Sequence, residues 1–375
     1  MPHLDHIDSQ LRSRVQRRTV ATLSATAIFT GVGIAGTTAA GSLLIKEITG
    51  SGALSGLSQT FSVLGAAFMA LPLARLTARG GRRWALISGW STAAVGMLIA
   101  VAGGALANVP LMLVGSLVGG TGAASGFQAR FAAVDLALPE HRARDLSLVV
   151  WASTVGSVSG PNLLPFTTKI TPLLGLPPLV GPYLFASLML LIGVAIAFVM
   201  LRPDPFLLAR KDSAEKKAHS IRAALKLVRE NRAAKQAITG IVIGHLAMVA
   251  VMVMTPVHMG EHAASLTVIG FVISVHVLGM YAFSPVMGWL ADRIGRLTVV
   301  RAGGIILVVS LVVSGLANPM DDRMLAIGLF LLGLGWSATL VGGSTLLAES
   351  VAVEDRPTAQ GASDLLMNGA AAAGG

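Results

Sequence analysis

The sequence contains no cysteine, which excludes a disulfide framework and any thiolate metal site. Charge is the next scarcity. Asp, Glu, Lys and Arg make up 12% of the 375 residues, about half of the ~25% that soluble domains carry. That is too little to cover a water-soluble surface of this size. With hydrophobic residues at 54%, the same scarcity excludes a disordered chain. Also missing are a His-Glu-x-x-His motif, a nucleophile elbow and a nucleotide-binding loop, so the sequence reads as neither an enzyme nor an ATP-driven machine. In their place stand long apolar segments and a mean hydropathy of +0.74, the composition of a polytopic membrane protein.

Runs free of Asp, Glu, Lys and Arg cover 19–45, 48–74, 84–129, 146–168, 170–201, 236–260, 262–291, 302–320, 324–348 and 365–375. A helix needs about 20 residues to cross the bilayer core. Run 84–129 therefore holds two helices, turning at Asn108-Val109-Pro110, and the total is ten spans plus a short eleventh stretch. None alternates polar with apolar at the length of a barrel strand, so the spans are helical. The polar tail 1–18 leads into a full-length span, unlike a signal peptide. Its His3, Asp5, His6 and Asp8 lie on no rigid element and read as a solvated tail with no metal site.

With the N-terminus in the cytoplasm, 24 of the 28 Lys and Arg residues fall on the inner side. That imbalance fixes the expected orientation in an inner, plasma membrane by the positive-inside rule. It also accounts for the net charge of +10 through loops facing anionic lipid, with no call for nucleic acid.

Residues 78–82 and 292–296 are alike, with Arg79, Gly81 and Arg82 each 214 positions before Arg293, Gly295 and Arg296. The same offset relates Asp135 to Glu349, Glu140 to Glu354 and Arg142 to Arg356. The chain reads as a duplication: a tail 1–18, a first half 19–201, a basic central loop 202–236 and a second half 237–375. In the loop, Ile221, Leu225 and Val228 share one helical face with Arg222, Lys226, Arg229 and Arg232 around it, the pattern of a helix lying on the membrane surface. The offset places the end of the second half near residue 415, so the chain is expected to lack the rest of span eleven and all of span twelve.

These features resemble the major facilitator superfamily. The loop after span eight, with Gly288, Asp292, Arg293, Gly295 and Arg296, matches that family's Gly-x-x-x-Asp-Arg-x-Gly-Arg signature. After span two, Ala74 and Ala78 replace the glycine and the aspartate. Gly120 and Gly122 resemble the span-four signature, with Ser116 where an arginine is usual. Gly156, Gly160 and Pro161 resemble the antiporter signature of span five, with Leu163 and Leu164 in place of its later glycines. The resemblance implies two six-helix halves, alternating access, a small-molecule substrate and no cofactor beyond an ion gradient, in the bacterial efflux branch.

Physical chemistry assigns these residues roles. Small residues allow close helix approach, and Gly160-Pro161 removes a backbone donor and offers a kink. By the pseudo-symmetry that the resemblance implies, Asp292 is expected to face the start of span five near Leu146, where a helix N-terminus favours an acid, and the signature arginines to pair with Asp135 and Glu349. Because Ala78 leaves the first half without its acid, Asp364 is expected to pair with Arg79 or Arg82. Arg130 lies near enough to the inner surface to snorkel. The cavity-facing spans carry hydroxyls, Ser116 and Gln128 with Trp336, and no mid-depth carboxylate, which suits a neutral or amphipathic molecule. His245 and His276 are proton-relay candidates; the alternative for each is a neutral imidazole bonded between helices. Proton-coupled export, an uptake permease or uniporter of the same fold, and a non-transporting membrane protein all remain open at this point. No obligate protein partner is implied.

Overall fold

The computed structural model describes residues 8–52, 54–210, 226, 228–261, 266–317 and 322–374. The tail residues His3, Asp5 and His6 and most of the expected surface helix, Ile221, Arg222 and Leu225 included, lie outside them. The described residues are helical, with no strand among them. In chain order the helices are α1 (Ser9–Thr49), α2 (Leu57–Ala105), α3 (Val109–Gly119), α4 (Thr121–Ala132), α5 (Arg142–Asn162), α6 (Leu164–Ile170), α7 (Gly181–Met200), α8 (Pro205–Ala209), α9 (Arg232–Glu261), α10 (Leu266–Val277), α11 (Ser284–Ile294), α12 (Arg296–Leu316), α13 (Asp322–Ser350) and α14 (Arg356–Gly374).

Eight helical stretches among the described residues are long and apolar enough to cross a membrane. The sequence count is higher for two reasons. The eight do not include α5 and α14, whose serine, glycine and charge lower their hydropathy. And α2 contains two spans. At 1.5 Å per residue its 49 residues would reach ~73 Å, more than twice the ~30 Å hydrocarbon core. The chain reverses at Gly81, where φ is 89° and ψ 174°. Leu73 and Gly89, eight residues to either side, pack together as a result. Gly295, at the repeat offset, separates α11 from α12 with φ 98°. Both φ values lie where a Cβ is strained, which is why the signature carries glycine at these two places.

Local chemistry sets the other boundaries. Asp8 caps α1 by accepting the Leu11 N–H at 2.9 Å, Asn108 caps α3 through Leu111 N–H at 3.0 Å, and α1 ends on Gly50 in the left-handed region. The expected kink at Gly160-Pro161 is a helix end: α5 stops at Asn162, one residue past Pro161, and α6 resumes at Leu164. The proline removes one ladder donor, and Pro165 prevents the helix from closing over the gap. A π-helical turn, Leu278–Ala282, interrupts the span between α10 and α11.

Among the described residues, the most extensive helix pairings between the first part of the chain and the second are α14 on α2 and α11 on α5. Both contacts lie toward the end carrying the loops at 79–83 and 292–296, termed the basic end below. Val15, Leu136, Phe206, Ala209 and Val353 form a small apolar cluster there, from four different segments.

Candidate functional site

At the basic end, charged residues pair twice in the same way. Arg82 grips Asp135 with a fork, Nε to Oδ2 at 2.8 Å and Nη2 to Oδ1 at 3.2 Å, with both side chains fully buried. At the repeat offset, Arg296 pairs with Glu349 at 3.1 Å. Each acid also meets an arginine from the other part of the chain: Asp135 meets Arg356 at 3.7 Å, and Glu349 meets Arg142 at 3.6 Å. These two cross-pairs are again images of one another at an offset of 214. A carboxylate with two arginines suits burial, because the pair offsets the desolvation of each charge. Arg296 also bridges to Asp292 at 2.9 Å and donates to the Pro139 carbonyl.

Asp292 faces the start of α5, where it accepts the Ala143 N–H at 3.1 Å and the Arg144 N–H at 2.9 Å. These are orphan donors of a helix N-terminus, so an anionic acceptor there is favoured by both hydrogen bonding and the helix dipole. Gly288 allows the approach: a Cβ on it would lie 2.6 Å from the Ala143 carbonyl oxygen and would strike Ser147. Arg293 is exposed and covers the Trp289 ring at 5.2 Å, and Arg79 is exposed.

The two sequence departures after span two have structural counterparts. Ala74 replaces the glycine, and the residue it meets is Gly361, where a Cβ would lie 2.6 Å from the Ala74 Cβ. Ser147, the partner of Gly288, lies 214 residues before Gly361, so the small residue has moved to the opposite helix of the contact. Ala78 replaces the aspartate, and Pro357 stands at the offset from Ala143. Proline has no N–H for such an acid to accept. The acid at the reversal of α2 comes instead from Asp204, which accepts the Arg83 N–H at 2.7 Å and caps α8.

Asp364 pairs with neither Arg79 nor Arg82. It accepts Nη2 of Arg130 at 2.8 Å, both side chains being almost wholly buried. Arg130 therefore does not snorkel. Its Nε donates to Ser344 at 3.1 Å, and its guanidinium lies over the Phe131 and Phe127 rings at 4.6 and 5.0 Å. Residues 130 and 344 are themselves 214 apart, so images across the repeat meet here. Sequence reasoning missed this pair because α4 and α14 are far apart in the chain and neither residue sits in a loop signature.

Beyond the pairs is a cavity of about 280 Å³, lined by α1, α4, α5, the π turn and α13, with Trp90 from α2. Trp336 lines it as expected. His245 lies behind Trp336 and accepts the indole N–H on Nδ1 at 2.9 Å. An indole can only donate, so Nδ1 carries no proton. His276 is buried with Nδ1 2.8 Å from the Leu329 carbonyl, which fixes the proton on that nitrogen. Both are helix-bridging imidazoles in this conformation. Ser116 lies away from the cavity, bonded to Ser58 at 2.9 Å. Gln128 is turned toward α2, with Arg82 at 3.5 Å and the Ala70 carbonyl at 3.4 Å. Of the α1 hydroxyls, Thr26, Thr30 and Thr37 bond their own helix, each at 2.8 Å. Gly156 and Gly160 pack backbone to backbone against Gly31 and Gly36 of α1, Gly120 lies against Ser62 and Ala66, and Gly122 against Ile34 and Ala93.

Known proteins resemble this chain in sequence and in fold. The family model described as Major Facilitator Superfamily matches residues 22–263 and 246–375. An uncharacterized MFS-type transporter of Bacillus subtilis, YdeG, is 34% identical over 96% of this chain and 84% of its own length. The riboflavin transporter RfnT of Brucella anthropi is 28% identical over 88% of this chain and 81% of its own. Among solved structures, the human organic anion transporter MFSD10 superposes with a TM-score of 0.76 at 16% identity, covering 96% of this chain and 92% of that one. With a helical membrane fold, a buried charge lattice at one end and a cavity behind it, this chain belongs to the Major Facilitator Superfamily.

Proposed function

We propose that the chain is a secondary active transporter that exports a small neutral or amphipathic molecule by alternating access, coupled to proton entry. In this reading its spans form two pseudo-symmetric halves, 19–201 with spans one to six and 237–375 with spans seven to ten and the start of span eleven, joined by the loop 202–236. The basic end is cytoplasmic, and the chain sits in a bacterial inner membrane. The observation that carries the reading is the sealed basic end, where the pairs of Asp135 and Glu349, and Asp292 on α5, tie the two parts together beside a cavity. Contacts of this kind hold one face shut and must break for the other state to form. The riboflavin transporter among the relatives supports an amphipathic substrate class.

Direction and coupling are tested together. Candidate amphipathic compounds are added to everted and right-side-out vesicles containing the chain, and flux is read under an imposed pH gradient. Uptake into everted vesicles, acid inside, supports proton-coupled export. Accumulation only in right-side-out vesicles makes the protein an uptake permease. His245→Gln and His276→Gln ask whether either imidazole carries the proton; full pH-driven flux in both variants removes them from the relay.

A further inference from the structure

Arg130 is the only charged residue lining the cavity among those described. Its Nε and Nη2 are used by Ser344 and Asp364, while Nη1, buried, has no hydrogen-bond partner. Asp364 likewise has a buried oxygen, Oδ2, with no partner. A desolvated cation with a spare donor at the edge of a cavity is built to receive acceptor oxygens, and leaving it unfilled is costly. Around it the walls are aromatic: Trp90, Phe127, Tyr281 and Trp336 line the space. The bond to His245 fixes the Trp336 ring, and Tyr281 meets it edge to face at 5.6 Å. One cation, no lining carboxylate and flat apolar walls describe one class of occupant.

We propose that the cavity binds a small organic monoanion with a flat apolar body, whose anionic oxygens take over Arg130 from Asp364. Asp364 accepts a proton from solvent as it is displaced. Two carboxylates cannot both stay ionised on one guanidinium in a dry site, so an anion and a proton enter together and the charge of the site is conserved. Asp364 faces Arg130 from α4 and, further off, Arg82 from α2, and His245 of α9 stands against Phe127 beside Arg130. Neither arginine can take the proton, and the Nδ1 of His245 is held by the Trp336 N–H, which leaves Asp364. The inference rests on reading the cavity as the transport site; it takes the amphipathic branch of that reading and, because anion and proton bind together, replaces exchange with co-transport of the two.

The test uses the full chain in nanodiscs and four probes: benzoate, nicotinate, indole-3-acetate and 2-naphthoate, each beside its primary amide. Titration calorimetry in two buffers of different ionisation enthalpy gives affinity and protons taken up. At least one acid is expected to bind about tenfold or more tighter than its amide, with uptake of about one proton, and Arg130→Gln is expected to abolish that preference. Asp364→Asn keeps the cation and removes its internal competitor; it is expected to tighten the acid roughly threefold or more and to end proton uptake. A purely structural ion pair predicts the opposite, weaker binding in Asp364→Asn. Amides that match the acids, acids that do not bind, or an Asp364→Asn variant that binds them less well overturns the proposal. Acid binding with no flux in vesicles would keep the anion site and remove the transport reading, whereas flux of the amides without acid binding would do the reverse.

Discussion

Asp135 occupies the position where a single change has the widest reach. It is buried and accepts a bidentate fork from Arg82 while Arg356 stands 3.7 Å away. Removing its charge leaves two cations uncompensated, and breaking a buried pair of this kind costs about 3–5 kcal/mol. Asp135→Asn is therefore expected to lower the melting temperature of the purified protein markedly. Glu140→Gln, whose carboxylate is exposed, is expected to leave it within error. Equal melting temperatures would show that the fork contributes little. Asp292 is a milder case. Its loss removes two helix-end hydrogen bonds at about 1 kcal/mol in total, near fivefold in the balance between states. Because the chain has no cysteine, a lone cysteine at Ser157, on the cavity wall, reports that balance cleanly. Asp292→Ala is expected to change its labelling rate by several-fold, and an unchanged rate removes Asp292 from the contacts that hold the basic end shut.

At the scale of elements, the two joining contacts use one geometry with the parts exchanged. On α5 and α11 the space comes from Gly288; on α2 and α14 it comes from Gly361, opposite Ala74. A methyl added at 361 would overlap the Ala74 methyl, and overpacking of this sort costs about 1–3 kcal/mol. Gly361→Ala is thus expected to loosen the basic end, and adding Ala74→Gly to restore it. A double-mutant cycle on melting temperature reads the coupling, and strict additivity would show that the two helices adjust independently. The exchange was not visible from the loop signature alone, where Ala74 and Ala78 look like simple losses. A signature records one side of a contact; Gly361 and Pro357 sit some 280 residues further along, and only packing brings them opposite.

For the whole molecule, the imbalance of Lys and Arg predicts an orientation, and impermeant thiol reagents on intact cells test it. Arg79→Cys is expected to be shielded and Ser51→Cys labelled; the reverse pattern would invert the membrane topology. The sequence by itself determined the membrane class, the helical spans, the 214-residue repeat with its matched Gly81 and Gly295, and the pairing of signature arginines with Asp135 and Glu349. These are legible because apolar length, charge placement and backbone strain act locally, and because a duplication repeats its own contacts at a fixed offset. Tertiary structure alone decided which expected cavity residues reach the cavity. Ser116 and Gln128 share the polarity of a lining but turn to Ser58 and Arg82, since a helix face is set by what packs around it. The partnership of Arg130 with Asp364 was also decided there. A buried charge must find its counter-charge wherever the fold brings one within reach, and no periodicity in the chain encodes that meeting.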